Sequence, residues 1–237
     1  MVLSMAGETE KSEAICLAIR PWSRTSHVVS WLTPRGKIAT VVKGAVRPKS
    51  VFLGQYDLNY TCEIVYYARA KGELHALREA SPLAMRERLR GDFRALALAD
   101  YYRQLVGELA PTGLECANWY RLLTVSLDGM TDSPVRDLLV FELEVLKLAG
   151  LSPDFSGYDR AADWSAFGVE AGAFAPAEGG RQIRVSRAVA AFLDNPRASP
   201  ADAQVCADAA RVLGVFYQFH LDCTAEVRRT VLRMISS

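Results

Sequence analysis

Histidine is scarce in this sequence, and His27, His75 and His220 stand far apart. No His-Glu-x-x-His, no Gly-x-Ser-x-Gly and no Gly-rich phosphate loop ending in Lys-Ser occurs, so the parts of a metalloprotease, a serine hydrolase or a P-loop enzyme are missing. No residue is expected to be catalytic, and the chain does not read as an enzyme. The five cysteines, Cys16, Cys62, Cys116, Cys206 and Cys223, are odd in number and lack short paired spacing. That argues against a disulfide framework and for a cytoplasmic protein. His220 and Cys223 are three apart, but two ligands do not make a metal site. No apolar run approaches roughly 18 residues, and Met1 to Lys11 is polar, so neither a membrane span nor a signal peptide is expected. A net charge of +1 neither demands nor excludes a nucleic-acid partner; the distribution of charge decides.

What is present is apolar patterning over 237 residues, half of them hydrophobic, enough for one large domain or two small ones. From Glu13, the residues Ile15, Leu17 and Ile19 alternate, as on a half-buried strand ending near Arg20. Val28 to Thr33 and Ile38 to Lys43 flank Pro34-Arg35-Gly36-Lys37, a hairpin with a Pro-Gly turn. After a Gly44 to Gly54 loop, Leu58, Tyr60, Cys62, Ile64 and Tyr66 share one face of a long strand, and Lys71-Gly72 turns it back into Glu73 to Glu79. About five short strands in this span fit a small Greek-key barrel, an OB-fold, although the pattern also suits an SH3-like barrel.

At Ser81-Pro82 the period changes. Leu98, Tyr101, Tyr102, Leu105 and Leu109 are spaced three and four apart, and Trp119, Leu123, Leu127 and Met130 repeat the stripe. Ser133-Pro134 opens a helix with little polar face that Gly150 should end. Residues 152–185, with repeated Gly and Pro, read as an irregular insertion or a small subdomain. Ser186 to Leu193 and Ala201 to His220 read as helices, the longer with Val205, Ala209, Val212, Phe216 and Phe219 as its apolar stripe. The expected fold class is α+β and multidomain: a tail over 1–12, a five-stranded OB-fold barrel over 13–80 and a mainly α-helical domain over 83–237.

Arg20, Arg24, Arg35, Lys37, Lys43, Arg47 and Lys49 fall in a segment with no Asp or Glu. Convergence of these cations on one side of the barrel would make a phosphate-binding surface whose affinity follows counterion release. A solvated edge guarded by Lys is the bland alternative. Trp22, beside Pro21 in a loop, and Tyr56 are candidates to stack on bases, whereas Trp31, in phase with Val29, reads as core. Glu142 and Glu144 lie two apart on a helix and so diverge; they are expected to reach solvent or Arg136 rather than form an acid–base pair.

The run Gly36-Lys37-Ile38-Ala39-Thr40-Val41-Val42-Lys43-Gly44-Ala45-Val46-Arg47-Pro48-Lys49-Ser50 resembles the motif of the RecO family, a Gly-Lys strand leading to a Lys-Gly-Ala-x-Arg-x-Lys-Ser loop. Gly72-Glu73-Leu74, the Leu96 to Leu109 helix and Phe141-Glu142-Leu143 to Ala149-Gly150-Leu151-Ser152-Pro153 agree in order and spacing, so the resemblance covers most of the chain; Leu53-Gly54-Gln55-Tyr56 follows it loosely. It implies an N-terminal OB-fold, a helical C-terminal domain and a cytoplasmic, nucleoid-associated mediator of DNA repair and recombination. Such a protein binds single- and double-stranded DNA, anneals complementary strands, pairs with RecR and helps load RecA on DNA coated by single-strand-binding protein. Arg121 and Arg136 are offered as places where the acidic, apolar tail of single-strand-binding protein would dock. Many members carry a four-cysteine zinc site after the Leu-Ser-Pro segment. Here Trp164-Ser165-Ala166-Phe167-Gly168 takes the place of the first cysteine pair and Gly179-Gly180-Arg181-Gln182-Ile183-Arg184 that of the second. The zinc site therefore reads as lost, no cofactor is expected, and Trp164 and Phe167 are expected to pack together in its place.

Three functions compete on these residues: a DNA-binding and annealing mediator, an adaptor whose helical domain receives protein partners, and an RNA-binding OB protein. Backbone capture and stacking serve either nucleic acid.

Overall fold

The computed structural model describes residues 8–69, 74–112, 116–174, 180–221 and 225–236. The chain divides into two compact units, one from the chain up to Asp92 with Tyr102–Asp128, the other from Phe93–Tyr101 with the chain from Gly129 onward.

In the first unit five strands, β1 (Thr9–Ser23), β2 (Ser26–Thr33), β3 (Gly36–Val42), β4 (Thr61–Tyr67) and β5 (Leu74–Ala84), close a barrel in the order β1-β2-β3-β5-β4. Only the β3–β5 closure is parallel, with Thr40 opposite His75. This is the OB-fold strand order. Alternation fills the interior with Ala14, Cys16, Val29, Trp31, Val42, Cys62, Ile64 and Tyr66. The Trp31 indole N–H donates to Thr40 Oγ1 at 2.9 Å, satisfying the one polar atom that its burial would otherwise strand.

β1 departs from the half-buried strand expected of Ile15, Leu17 and Ile19. Ala14 and Cys16 point into the barrel, and Ile15 and Leu17 are buried on its outside, Ile15 facing Leu32 across the β1–β2 ladder. A bulge between Cys16 and Ala18 then shifts the phase so that Ile19 turns inward. The outer layer comes from α2 (Phe93–Leu109), whose second half belongs to this unit, and α3 (Ala117–Asp128). Arg103 donates to the Leu17 carbonyl, Tyr120 Oη to Glu13 Oε2 at 3.1 Å, and the Cys116 N–H to the Pro34 carbonyl at 3.0 Å.

β1 begins four residues ahead of the expected barrel start, and β5 runs through Pro82, opposite Cys62, to Ala84. A register shift beside this pair accommodates the proline, which a regular central ladder would exclude. The expected Lys71-Gly72 turn and Gly72-Glu73-Leu74 match lie, but for Leu74, outside the described residues. The short α1 (Arg88–Gly91) follows β5.

The second unit packs α4 (Pro134–Leu148), α5 (Arg187–Asp194), α6 (Ala203–His220) and α7 (Ala225–Ile235) with the first turns of α2. Pro134 occupies the start of α4, but the Ser133 side chain makes no cap. Asp137, one turn in, takes the Thr131 N–H at 2.6 Å instead. Gly150 ends the helix with φ +73°. The Asp202 carboxylate caps α6 by accepting from the Val205 N–H at 2.8 Å. Phe219, expected on the buried stripe of α6, is exposed, and Tyr217 takes the interior position.

Of the two readings of this stretch, an irregular insertion or a small subdomain, the second holds for its described residues: they form a three-stranded sheet, β7 (Ala173–Phe174), β6 (Trp164–Gly168) and β8 (Gln182–Ser186) in that order. Its strands are too short and too glycine-interrupted for a period-2 pattern to stand out in sequence. α7 escaped the sequence reading because only Val231 and Ile235 on its apolar stripe are buried beside a buried arginine.

Glu142 reaches neither solvent nor Arg136. It is fully buried, its carboxylate bridging to Arg228 of α7 at 2.7 and 2.9 Å and accepting from Tyr101 Oη at 2.5 Å. Tyr217 Oη donates to the Glu142 carbonyl at 3.0 Å. Glu144 reaches Arg197, at 3.6 Å. Among the described residues no helix is long and apolar enough to cross a membrane.

Candidate nucleic-acid interface

The strands of the barrel divide the seven cations into two groups. β3 runs from Gly36 to Val42, which at roughly 3.3 Å per residue places its ends about 20 Å apart. Arg35 and Lys37 sit at one end and Lys43, Arg47 and Lys49 at the other, so the expected single cluster does not form. At their end Arg35 pairs with Glu10 at 3.0 Å, and Lys37 Nζ donates to the Gly107 carbonyl of α2 at 3.0 Å. Both are tied into the structure of the unit.

The opposite end gathers the remaining five. Ser23 pairs with Ser26 in the β1–β2 turn, and His27 pairs with Val42, which brings that turn beside the exit of β3. The Gly44 N–H donates to Ser26 Oγ at 3.2 Å and the Val46 N–H to the Thr25 carbonyl at 3.3 Å. Arg20, Arg24, Lys43, Arg47 and Lys49 are exposed around this junction, and none has a carboxylate partner among the described residues. Trp22, expected in a loop, lies instead near the end of β1, just ahead of this turn, and is 62% exposed.

The Gly44 to Gly54 loop is held as a chain of turns: Arg47 N–H to Gly44 O, Ser50 N–H to Arg47 O and Leu53 N–H to Ser50 O, at 3.1, 2.9 and 3.3 Å. Gly44 supplies a φ of +69° at its start. Ala45, Phe52 and Tyr56 pack against the barrel core and pin the loop at three points. Between the pins, Val46, Val51 and Leu53 remain exposed, Val51 at 78%. Sequence reading missed these apolar side chains, since a loop carries no periodicity to reveal which residues the pins leave outside.

Tyr56 is not available as a stacking platform. Its ring meets Trp31 edge-on at 6.0 Å, its hydroxyl lies 2.9 Å from His27 Nδ1, and burial, with a smaller contribution from Cys16, pushes its ionisation up to about 12. Trp22 is the aromatic left at this end for stacking. Arg121 is exposed on α3 near Asn118, at 3.5 Å. Arg136, in the other unit, spends its guanidinium on the carbonyls of Pro196, Arg197 and Ser199 at 3.0, 3.2 and 2.9 Å, which holds the loop between α5 and α6.

The side chains at the expected zinc position do not fit a zinc ion. Phe167 stacks on Phe155 at 4.8 Å and meets Phe174 at 5.2 Å, an apolar cluster behind β6. Trp164 does not join it: three positions from Phe167 on a strand, it lies on the opposite face, 52% exposed. His220 Nε2 lies 3.0 Å from the Val169 carbonyl, and Cys223 and Gly179 lie outside the described residues. Among the described residues no three His, Cys, Asp or Glu side chains converge as metal ligands.

A closed β1-β2-β3-β5-β4 barrel joined to a helical unit, with free cations on its turns, defines an OB-fold protein, an architecture that captures oligonucleotides and oligosaccharides. Residues 5–86 match the family model described as Recombination protein O N terminal and residues 90–225 that described as Recombination protein O C terminal, and the chain belongs to this RecO family. It is similar to the DNA repair protein RecO of Roseiflexus sp. (strain RS-1), 28% identical over 178 residues, and to that of Rhodopirellula baltica, 34% identical over 149 residues. These alignments cover 74% and 59% of this chain but 62% and 53% of the two relatives.

Proposed function

We propose that this protein is a DNA-binding mediator of repair and recombination that anneals complementary strands without turning over a substrate. The observation that carries the reading is the set of five exposed cations, Arg20, Arg24, Lys43, Arg47 and Lys49, gathered with Trp22 on one end of an OB barrel and unopposed by carboxylates. Phosphates of single- or double-stranded DNA bind there through counterion release, with little dependence on sequence, and Trp22 stacks on bases of a single strand. Family membership supports RecR as partner and RecA loading on DNA coated by single-strand-binding protein as the outcome, in the cytoplasm.

The test is binding and annealing of labelled complementary oligonucleotides across a salt series, for the wild type and a Lys43→Glu/Arg47→Glu variant. A log–log salt slope near −3 for single strands corresponds to about four neutralised phosphates at about 0.7 each. Loss of both activities in the variant supports the reading; unchanged annealing refutes it.

An adaptor role is favoured by one further observation. A groove of about 840 Å³ in the second unit is walled by Pro134, Val135, Ala210, Val215 and Leu232, with Arg136 and Arg229 also lining it. An acidic, apolar tail such as that of single-strand-binding protein suits this lining. A pull-down with the tail peptide, repeated on a Val215→Glu variant, separates this role from DNA binding. We also propose that the protein works without zinc, since Trp164 and Phe167 stand in the segment of the first cysteine pair and no cysteine stands in that of the second; stoichiometric zinc in metal analysis of the purified protein would overturn this.

A further inference from the structure

We propose that the solvent face of the β7-β6-β8 sheet is a second contact for single-stranded DNA, with the Trp164 indole as a base-stacking platform and Arg184 as its phosphate ligand. The proposal rests on the DNA-binding reading above only in naming DNA as the ligand. β6 and β8 pair antiparallel with Trp164 opposite Ser186 and Ala166 opposite Arg184, so Trp164, Ala166, Gln182 and Arg184 rise from one face while Phe167 and Val185 are buried on the other. The Arg184 guanidinium carbon lies 5.3 Å from the centre of the Trp164 ring, and Arg184 has no carboxylate partner among the described residues. A guanidinium laid on an indole keeps its N–H fork directed at solvent, where a phosphate beside a stacked base would meet it.

The acidic side chains nearby are turned to other work. The Asp154 carboxylate accepts from the Ser156 hydroxyl and N–H at 2.6 and 2.9 Å, Asp159 from the Ala161 N–H at 2.8 Å, and Glu170 from the Arg181 N–H at 2.8 Å. Asp163 precedes Trp164 and is out of phase with it. Among the described residues the face is thus aromatic and cationic, with no carboxylate in phase with Trp164 and Arg184, the pairing that tracks single strands irrespective of sequence. Annealing requires two strands to be held at once, and this face would supply a hold separate from the barrel loops.

Tryptophan emission tests the assignment on the full chain. Trp31 and Trp119 are buried, so in a Trp22→Phe variant Trp164 is the exposed indole. Titration with oligothymidylate should quench its emission, a Trp22→Phe/Trp164→Phe variant should lose the quench, and Arg184→Glu should weaken annealing roughly tenfold. Adding Lys43→Glu/Arg47→Glu to the Trp22→Phe protein should weaken overall affinity yet leave a Trp164 quench at higher DNA. If fluorescence anisotropy of labelled DNA shows binding while Trp164 emission never changes, the sheet contact is wrong and the barrel reading stands. If the quench survives and charge reversal on the barrel leaves affinity unchanged, the barrel reading fails and the sheet contact stands.

Discussion

Glu142 on α4 and Arg228 on α7 form a two-pronged ion pair withdrawn from solvent, at 2.7 and 2.9 Å, with the Tyr101 hydroxyl on the same carboxylate. Burial works against the Arg228 charge, but Glu142, Tyr101 and Tyr217 together outweigh it, so the guanidinium pKa is held above its ordinary value. The same burial and the neighbouring carboxylate raise both Tyr101 and Tyr217 well above the ordinary phenol range, so both remain hydroxyl donors. Glu142→Gln leaves Arg228 buried without a counter-charge and is expected to cost about 3–5 kcal/mol in urea unfolding. A Glu142→Leu/Arg228→Met double variant should recover most of that loss, since no charge is then left unpaired. Equal losses in the single and double variants would show that the pair does not act as a unit.

Gly214 on α6 makes that pair possible. A Cβ at this position would lie 2.6 Å from Arg228 Nη1. Helix propensity alone favours Gly214→Ala by about 1 kcal/mol. The expected sign is the reverse, a loss of about 1–3 kcal/mol, because the pinned guanidinium must shift. In the Glu142→Leu/Arg228→Met background the alanine should become neutral or stabilising, and thermal unfolding reads both signs.

The two groups of cations on the barrel should separate by phenotype. Lys37→Met removes a charged hydrogen bond to the Gly107 carbonyl and should cost about 1–2 kcal/mol of stability while leaving DNA affinity near wild type. Arg47→Glu should do the opposite. Denaturant melts run beside the oligonucleotide titrations check both. A Lys37→Met protein of normal stability with weakened DNA binding would place phosphates at the wrong end of the barrel.

Alkali should reach the barrel late. Tyr56, Tyr66 and Tyr120 are each pushed up to about 12 from 10.0, in every case first by burial and then by a neighbouring acidic group: Cys16, Glu10 and Glu13 respectively. A folded-state value raised above the unfolded one contributes stability that is complete below pH 10 and is lost as pH climbs through 12. Absorbance titration at alkaline pH should therefore show a late phenolate step that coincides with loss of near-ultraviolet dichroism. Glu10→Gln should move the Tyr66 part of that step to lower pH, because the hydrogen bond to the carboxylate goes with it.

Much of this architecture was legible in the residues because alternation and helical spacing are local properties. Of the alternating Leu58, Tyr60, Cys62, Ile64 and Tyr66, the last four enter the barrel core, while Leu58 lies ahead of β4 and is exposed. The Pro-Arg-Gly-Lys turn and the Pro134 and Gly150 limits of α4 are likewise set by the backbone freedom of single residues. β1 was less legible: with one face in the barrel and the other under helices, both sets of side chains are buried, and only the bulge at Cys16/Ala18 settles which set is inside.

By itself the sequence determined a strand-rich N-terminal part followed by a helical one, an acid-free segment from Arg20 to Lys49, and the loop motif by which the family is recognised. Tertiary structure alone decided which cations lie together, because the length of β3 carries Lys37 to the Gly107 carbonyl at one end and Lys43 to the other. It also decided that Glu142 is an ion-pair partner and not a surface carboxylate, since Arg228 lies 86 positions away and only folding brings a charge from such a distance to neutralise one buried in an apolar helix.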